Sequence, residues 1–255
     1  MLLFLIVCLY LVFFFVSLIP KMHTEFKRVE SEELLSRMSR CMTYIQRGFR
    51  RTLKLCKIKL TVLGQEQLSY DSPILYVSNH RSFLDIISSF TLFSRPIGFL
   101  GKKELQKIPL LRSWMLLTGS VFVDRNNPKE ALKSIQKAKE YVDSGLSIWV
   151  FPEGTRGNDP NELNLSEFKA GSLKIALKTS CPIIPVAISH SDRVWERQFP
   201  HIIPKQHIII KFGKAIQTKD LDLSERKNLP TMLQDKVKDL LREIQEIRKH
   251  AQEEI

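Results

Sequence analysis

Two residue types able to move a proton, His80 and Asp85, stand five positions apart in Ser78-Asn79-His80-Arg81-Ser82-Phe83-Leu84-Asp85. On a continuous helix, positions five apart point about 140° away from one another, so the pair can meet only if His80 lies before the helix that carries Asp85. That arrangement yields a dyad in which Asp85 holds the Nδ1 proton and His80 Nε2 takes a proton from a hydroxyl group. The same letters also read as Ser82-x-x-Asp85, a capping box beside a surface histidine. On this octapeptide alone both readings stand.

Cations placed after apolar runs suggest what such a base would act beside. Glu153-Gly154-Thr155-Arg156 follows the apolar run 146–151, Arg125 follows 120–123, and Lys102 and Lys103 follow 97–100. Gly154 permits a tight turn, and an arginine there can fork onto a phosphate, with lysine adding point charge. Other chemistries leave no mark. There is no G-x-S-x-G elbow, no G-x-x-x-x-G-K-[ST] loop and no G-x-G-x-x-G. His80, Asp85, Asp124 and Glu153 could ligate a metal, but their basic surroundings do not suit a cation, and no metal is expected.

The elements that must position these residues follow from apolar periodicity. Strands are expected at 73–77, 97–100, 120–123, 146–151, 181–188 and 207–212, with helices at 86–90, 128–143 and 168–179 and a charged amphipathic helix containing Leu233, Val237, Leu240, Leu241, Ile244 and Ile247. Alternation of strands and helices after Gly64 argues α/β architecture. Several strands end in polar, basic loops, where ligands bind in open α/β sheets.

Residues 1–20 carry no charge and are long enough to cross the ~30 Å hydrocarbon layer; they lack the basic start and small-x-small site of a cleaved signal peptide. Lys21, Lys27 and Arg28 follow directly, which puts the body of the protein on the cytoplasmic face. From Ser31, apolar residues recur at helical spacing from Leu34 to Leu53, opposite Arg37, Arg40, Arg47, Arg50, Arg51 and Lys54. Such a stripe fits a helix in an anionic membrane interface, or a basic helix packed on the domain. The expected division is a membrane segment at 1–20, a basic interfacial helix at 21–58 and one domain at 59–255. Since the chemistry lies in the last part, removing 1–20 is expected to spare turnover. The net charge of +12 implies an anionic partner. No aromatic-rich basic sheet motif points to nucleic acid. Cys8, Cys41, Cys56 and Cys181 are scattered, as in a reducing compartment.

Taken together, Asn79-His80-x4-Asp85, the run from Gly119 to Arg125, Phe151-Pro152-Glu153-Gly154-Thr155-Arg156 and Cys181-Pro182-Ile183-Ile184-Pro185-Val186 resemble the four ordered blocks of the 1-acyl-sn-glycerol-3-phosphate acyltransferase family. The likeness spans about residues 60 to 215, and words such as Asp124-Arg125-Asn126-Asn127 look like the bacterial enzymes in particular. The resemblance implies a single α/β acyltransferase domain with a mixed sheet flanked by helices, preceded by the membrane and basic helices. It implies transfer of an acyl chain from acyl-CoA or acyl-carrier protein to the 2-hydroxyl of a membrane-resident lysophosphatidate, giving phosphatidate, with no cofactor. By the same analogy His80 is the general base and Asp85 its orienter. Lys102, Arg125, Glu153, Gly154, Thr155 and Arg156 hold the acceptor phosphate, and the block 181–186 helps line the acyl site. The implied setting is the cytoplasmic face of a bacterial inner membrane rather than the endoplasmic reticulum. An acyltransferase for another lysolipid shares all these motifs, whereas a non-catalytic anionic-lipid binding protein would not need His80 or Asp85.

Overall fold

The computed structural model describes residues 1–28, 33–68 and 72–253. Its centre is a seven-stranded sheet. The strands are β1 (Lys59–Leu63), β2 (Leu75–Ser78), β3 (Ile97–Lys102), β4 (Val121–Val123), β5 (Ser147–Val150), β6 (Ile183–Ser189) and β7 (His207–Phe212), in spatial order β1-β7-β6-β2-β5-β3-β4. Every neighbouring pair is parallel except β6 and β7, which makes the sheet mixed, as expected. The helices are α1 (Leu2–Ser17), α2 (Ile19–Lys27), α3 (Leu34–Leu55), α4 (Phe83–Phe90), α5 (Pro109–Leu117), α6 (Pro128–Asp143), α7 (Ala170–Thr179) and α8 (Leu223–Glu253).

Because β2, β5 and β6 are covered on both faces, they read as continuous apolar runs, and alternate side chains enter separate cores. Tyr76, Trp149, Val186 and Ile210 point into one core with α1, α3, α4 and α5; Leu75, Val77, Ile148 and Val150 point into the other with α6, α7 and α8. From β2 the chain goes on to β3 on one side of the sheet, and from β5 it goes on to β6 on the other. A crevice therefore opens between the carboxyl ends of two adjacent strands, the usual ligand position in an open α/β sheet.

The N-terminal expectations change in two ways. Residues 21–58 form two helices, not one: α2 begins with Pro20 in its first turn and ends at Lys27, and α3 starts at Leu34, while the expected start at Ser31 lies outside the described residues. The apolar stripe of α3 does not face lipid. Met38, Cys41, Met42, Ile45 and Leu53 are buried against the domain, Arg37 is buried as well, and Arg40 is tied to Glu25 of α2 at 2.9 and 2.8 Å. Helical periodicity is the same whether the covering surface is protein or lipid, so the pattern could not separate these two outcomes.

Helix α1 lies along α3, where Gly48 makes room for a ring: a β-carbon there would come within 2.2 Å of Phe14. Its other face leaves Leu2, Leu5, Ile6, Leu9, Val12, Phe13 and Val16 exposed. Residues Leu2–Lys27 are long and apolar enough to cross a membrane.

Candidate active site

The turn after β2 is built by side chains that replace ladder hydrogen bonds. Asn79, fully buried, donates from Nδ2 to the Ile188 carbonyl (2.8 Å) and accepts from the Ile188 amide (2.9 Å), so β2 and β6 stay joined where the strand ends. His80 comes next and Ser82 caps α4, its hydroxyl accepting from the Leu84 amide at 2.9 Å. Asp85 then sits in the first turn, where the helix dipole favours a carboxylate.

The dyad and the capping box prove to be one construction. A single oxygen, Asp85 Oδ2, accepts from His80 Nδ1 (2.8 Å), the Arg81 amide (2.6 Å) and the Ser82 amide (2.8 Å). Asp85 is fully buried. The imidazole stacks on Phe151, with ring centroids 4.0 Å apart, and its Nε2 has no hydrogen-bond partner among the described residues. Orientation is therefore fixed on one nitrogen and reactivity left on the other.

Glu153 holds this turn from behind. Expected among the phosphate ligands, it is instead 3% exposed and turned inward, accepting from the His80 amide (2.7 Å) through Oε1 and from the Ser166 amide (3.0 Å) through Oε2. Both oxygens are taken by backbone, and a carboxylate would repel a phosphate, so its role is to position His80. Burial pushes its carboxyl pKa up, opposed by those two amide donors.

The other expected residues divide. Gly154 turns with φ of +79°, and a β-carbon there would lie 3.1 Å from Arg125 Nη1 and 3.6 Å from Lys169 Nζ. Arg125, lowered in pKa by desolvation, stays cationic because its ordinary value is far above neutrality. Thr155 is exposed beside it. Arg156 lies 4.3 Å above the Phe83 ring and 3.4 Å from Glu196 Oε1. Lys102 is not drawn in; it is exposed at the end of β3 and faces Glu104 at 3.5 Å, because its strand lies one position further from the crevice.

Several site residues carried no sequence signal. Arg81 turns inward, forming bonds to Asp192 Oδ2 from Nε (3.0 Å) and Nη2 (2.7 Å) and donating to the Asp159 carbonyl; Arg197 reaches the same Asp192 oxygen at 2.8 Å. Asp192, Glu196 and Lys169 lie from about ninety to over a hundred residues beyond His80, too far for spacing to reveal.

An apolar cavity of about 310 Å³ lies beside this edge, lined by Leu11 and Phe15 of α1, Phe49, Phe83, Trp114 and Trp195 among others. Phe83 is shared, since its ring lines the cavity and supports Arg156. Two expectations change here. The block 181–186 leads into and forms part of β6, inside the sheet, and contributes nothing to the cavity wall. Helix α1, expected to stand apart from the domain as a membrane segment, supplies part of that wall through Leu11 and Phe15.

The His80–Asp85 pair, a set of cations and an apolar cavity thus lie together at one sheet edge. A model of the acyltransferase family matches residues 59–189. A 1-acyl-sn-glycerol-3-phosphate acyltransferase of Borreliella burgdorferi is 30% identical over 190 residues, 73% of each chain. One from Saccharomyces cerevisiae is 30% identical over 188 residues, 73% of this chain and 61% of its own. This chain thus spans about three fifths of the yeast relative's length. The crystal structure of the 1-acyl-sn-glycerophosphate acyltransferase of Thermotoga maritima shares the fold, with a TM-score of 0.72 at 23% identity over 94% of this chain and 95% of that one. The chain belongs to the acyltransferase family, among its 1-acyl-sn-glycerol-3-phosphate acyltransferases.

Proposed function

We propose that this protein transfers an acyl group from a thioester, acyl-CoA or acyl-carrier protein, to the 2-hydroxyl of 1-acyl-sn-glycerol 3-phosphate, releasing free thiol and phosphatidate. The observation that carries the reading is His80, held by Asp85 at 2.8 Å through Nδ1 with Nε2 open, between the Gly154 cations and an apolar cavity. His80 Nε2 takes the proton from the acceptor hydroxyl as its oxygen attacks the thioester carbonyl. The new C–O ester bond forms, the C–S bond breaks, and the proton passes from His80 to the departing thiolate. Asp85, held by its three donors, stabilises the transient imidazolium. The thioester is already activated, so no covalent enzyme intermediate and no cofactor is required.

The cavity takes an acyl chain: its lining is almost wholly apolar, and Phe83 places its mouth beside the cations. The exposed apolar face of α1 rests in lipid, and exposed Arg47, Arg51 and Lys54 on α3 add attraction to an anionic cytoplasmic leaflet, each worth about 1 kcal/mol near the surface. The lipid acceptor then enters from the membrane while a soluble donor arrives from the aqueous side. The test is thiol release from acyl-CoA with a panel of lysolipids. Rapid release with lysophosphatidate supports the reading, and release favouring another lysolipid, or none, rejects it.

A further inference from the structure

We infer that the segment from Trp195 to Ile203 is a second membrane-contacting element, in which Phe199 and Ile203 enter the lipid surface beside α1 and hold the mouth of the cavity against the bilayer. This goes beyond the acyl-transfer reading and takes from it only the placing of α1 in lipid.

Phe199 is 67% exposed and Ile203 38%, and neither lines the cavity. Single apolar side chains on a surface are ordinary, but this pair is not isolated. Phe4 of α1 meets the Phe199 ring edge-on at 5.5 Å and the Trp195 ring at 5.1 Å, so the exposed apolar face of α1, which begins with Leu2 and Leu5, runs on into this segment. Two elements distant in sequence thus present one continuous apolar surface.

The segment is held from within. Val194 and Ile202 are buried, the Ile203 amide donates to the Val194 carbonyl (2.8 Å) and the Lys205 amide to the Cys56 carbonyl (3.2 Å). Arg197 is tied to Asp192 Oδ2 (2.8 Å) and the Pro160 carbonyl (3.1 Å). The loop keeps its shape through these inward contacts, and the Phe199 ring it holds outward adds little to its own packing. Its charges are sorted in the same way. Asp192 turns inward to Arg81 and Arg197 and Glu196 to the Phe83 amide, whereas Arg193, His201 and Lys205 are exposed. Apolar side chains flanked by cations, with the nearby carboxylates turned inward, suit an anionic lipid surface. They suit a second copy of this chain less well, since its net charge of +12 would repel them.

The contact matters because of what else the segment carries. Trp195 lines the apolar cavity, and Glu196 holds the amide of Phe83, whose ring lines it too. With Phe199 in lipid, the cavity opens onto the bilayer, and an apolar chain passing into it need not cross water.

The experiment uses the full chain with vesicles of phosphatidylcholine and phosphatidylglycerol, with or without bromine on their acyl chains, since bromine quenches a nearby tryptophan. Trp114 and Trp149 are buried, so the wild type supplies the background. Phe199→Trp should add emission that brominated lipid quenches. Leu132→Trp, at an exposed position of α6 on the other side of the sheet, should add emission that it does not quench. In a second arm, kcat/KM is measured for lysophosphatidate embedded in vesicles and dispersed in detergent, with the wild type, Phe199→Ser and Phe199→Leu. Phe199→Ser should lower the vesicle value roughly tenfold, the scale of one large apolar side chain kept out of lipid, and leave the detergent value unchanged. Phe199→Leu should restore most of the loss. An unquenched Phe199→Trp overturns the inference, as does a Phe199→Ser loss that is equal in vesicles and detergent or missing from both. If the wild type fails to acylate any lysolipid, the acyl-transfer reading falls, while the quenching still decides whether Phe199 meets lipid.

Discussion

The turn after β2 and the turn after β5 lie side by side at one sheet edge, yet they are built in opposite ways. In the first, the side chains that hold His80 and its turn are tied down: Asn79 to Ile188, Asp85 Oδ2 to three donors, Glu153 to two backbone amides, Arg81 to Asp192. In the second, Arg125 and Lys169 converge on Gly154, and Arg156 faces Glu196. A general base works from one orientation, so its surroundings are rigid and mostly buried. A phosphate-binding turn, as proposed for the second, instead keeps its cations within reach of a ligand. Under the proposed function, the difference separates residues that set rate from residues that set affinity.

The largest effect should come from removing the committed base. His80→Ala is expected to lower kcat by 10²–10⁴-fold, the typical worth of general-base catalysis, with little change in melting temperature since the imidazole is partly exposed. Asp85→Asn should lower kcat as well, and also the melting temperature, because three donors lose their shared carboxylate acceptor. Thermal melts beside steady-state kinetics check both. A His80→Ala enzyme keeping more than about a tenth of the rate would break the comparison at its centre.

Next is the cavity wall between membrane and site. Deleting residues 1–18 removes Leu11 and Phe15, each worth about 1.5–3 kcal/mol of apolar contact when fully buried, so activity on detergent-dispersed substrate should fall roughly tenfold or more. Turnover equal to that of the full chain would show that α1 serves only as an anchor.

The open turn should respond in affinity alone. Arg125→Ala is expected to raise acceptor KM roughly tenfold, and Arg156→Ala by less, since phosphate must compete with Glu196 for Arg156. Glu196→Gln should sharpen the contrast by lowering acceptor KM a few-fold. Equal effects at Arg125 and Arg156, measured as initial rates against acceptor concentration, would erase the distinction within the turn.

The smallest effect lies in the scaffold. Burial lowers the pKa of His190 to about 3, with Arg248 and Arg193 adding to the shift. The folded state thus favours neutral imidazole, so its contribution is complete above the unfolded value near 6.5 and is lost as pH falls toward 3. His190 has φ of 66°, which asparagine also tolerates, so His190→Asn should fold and flatten the acid side of a plot of melting temperature against pH. An unchanged acid limb would assign that loss to other groups.

Local signals determined a good part of this protein. Asn127 and Pro128 start α6 where a cap and a first-turn proline predict, the run 128–143 ends as expected, and β7 covers 207–212 as its apolar pattern requires. His80, Asp85 and Gly154 were legible because turn chemistry and the helix dipole act over a few residues. Helix α5 was not anticipated, although Pro109 opens it, and β1 is a short strand just before the region of clear alternation. What only tertiary structure decided is which surfaces meet. The stripe of α3 has one periodicity whether it covers lipid or protein, and it covers protein. Glu153 sits in a motif that reads as a ligand loop, and burial turns it toward the amide of His80. Lys169, Asp192 and Glu196 reach the site through packing of chain segments far apart in sequence, and no spacing rule extends over such distances because the contacts exist only once the sheet and its helices are assembled.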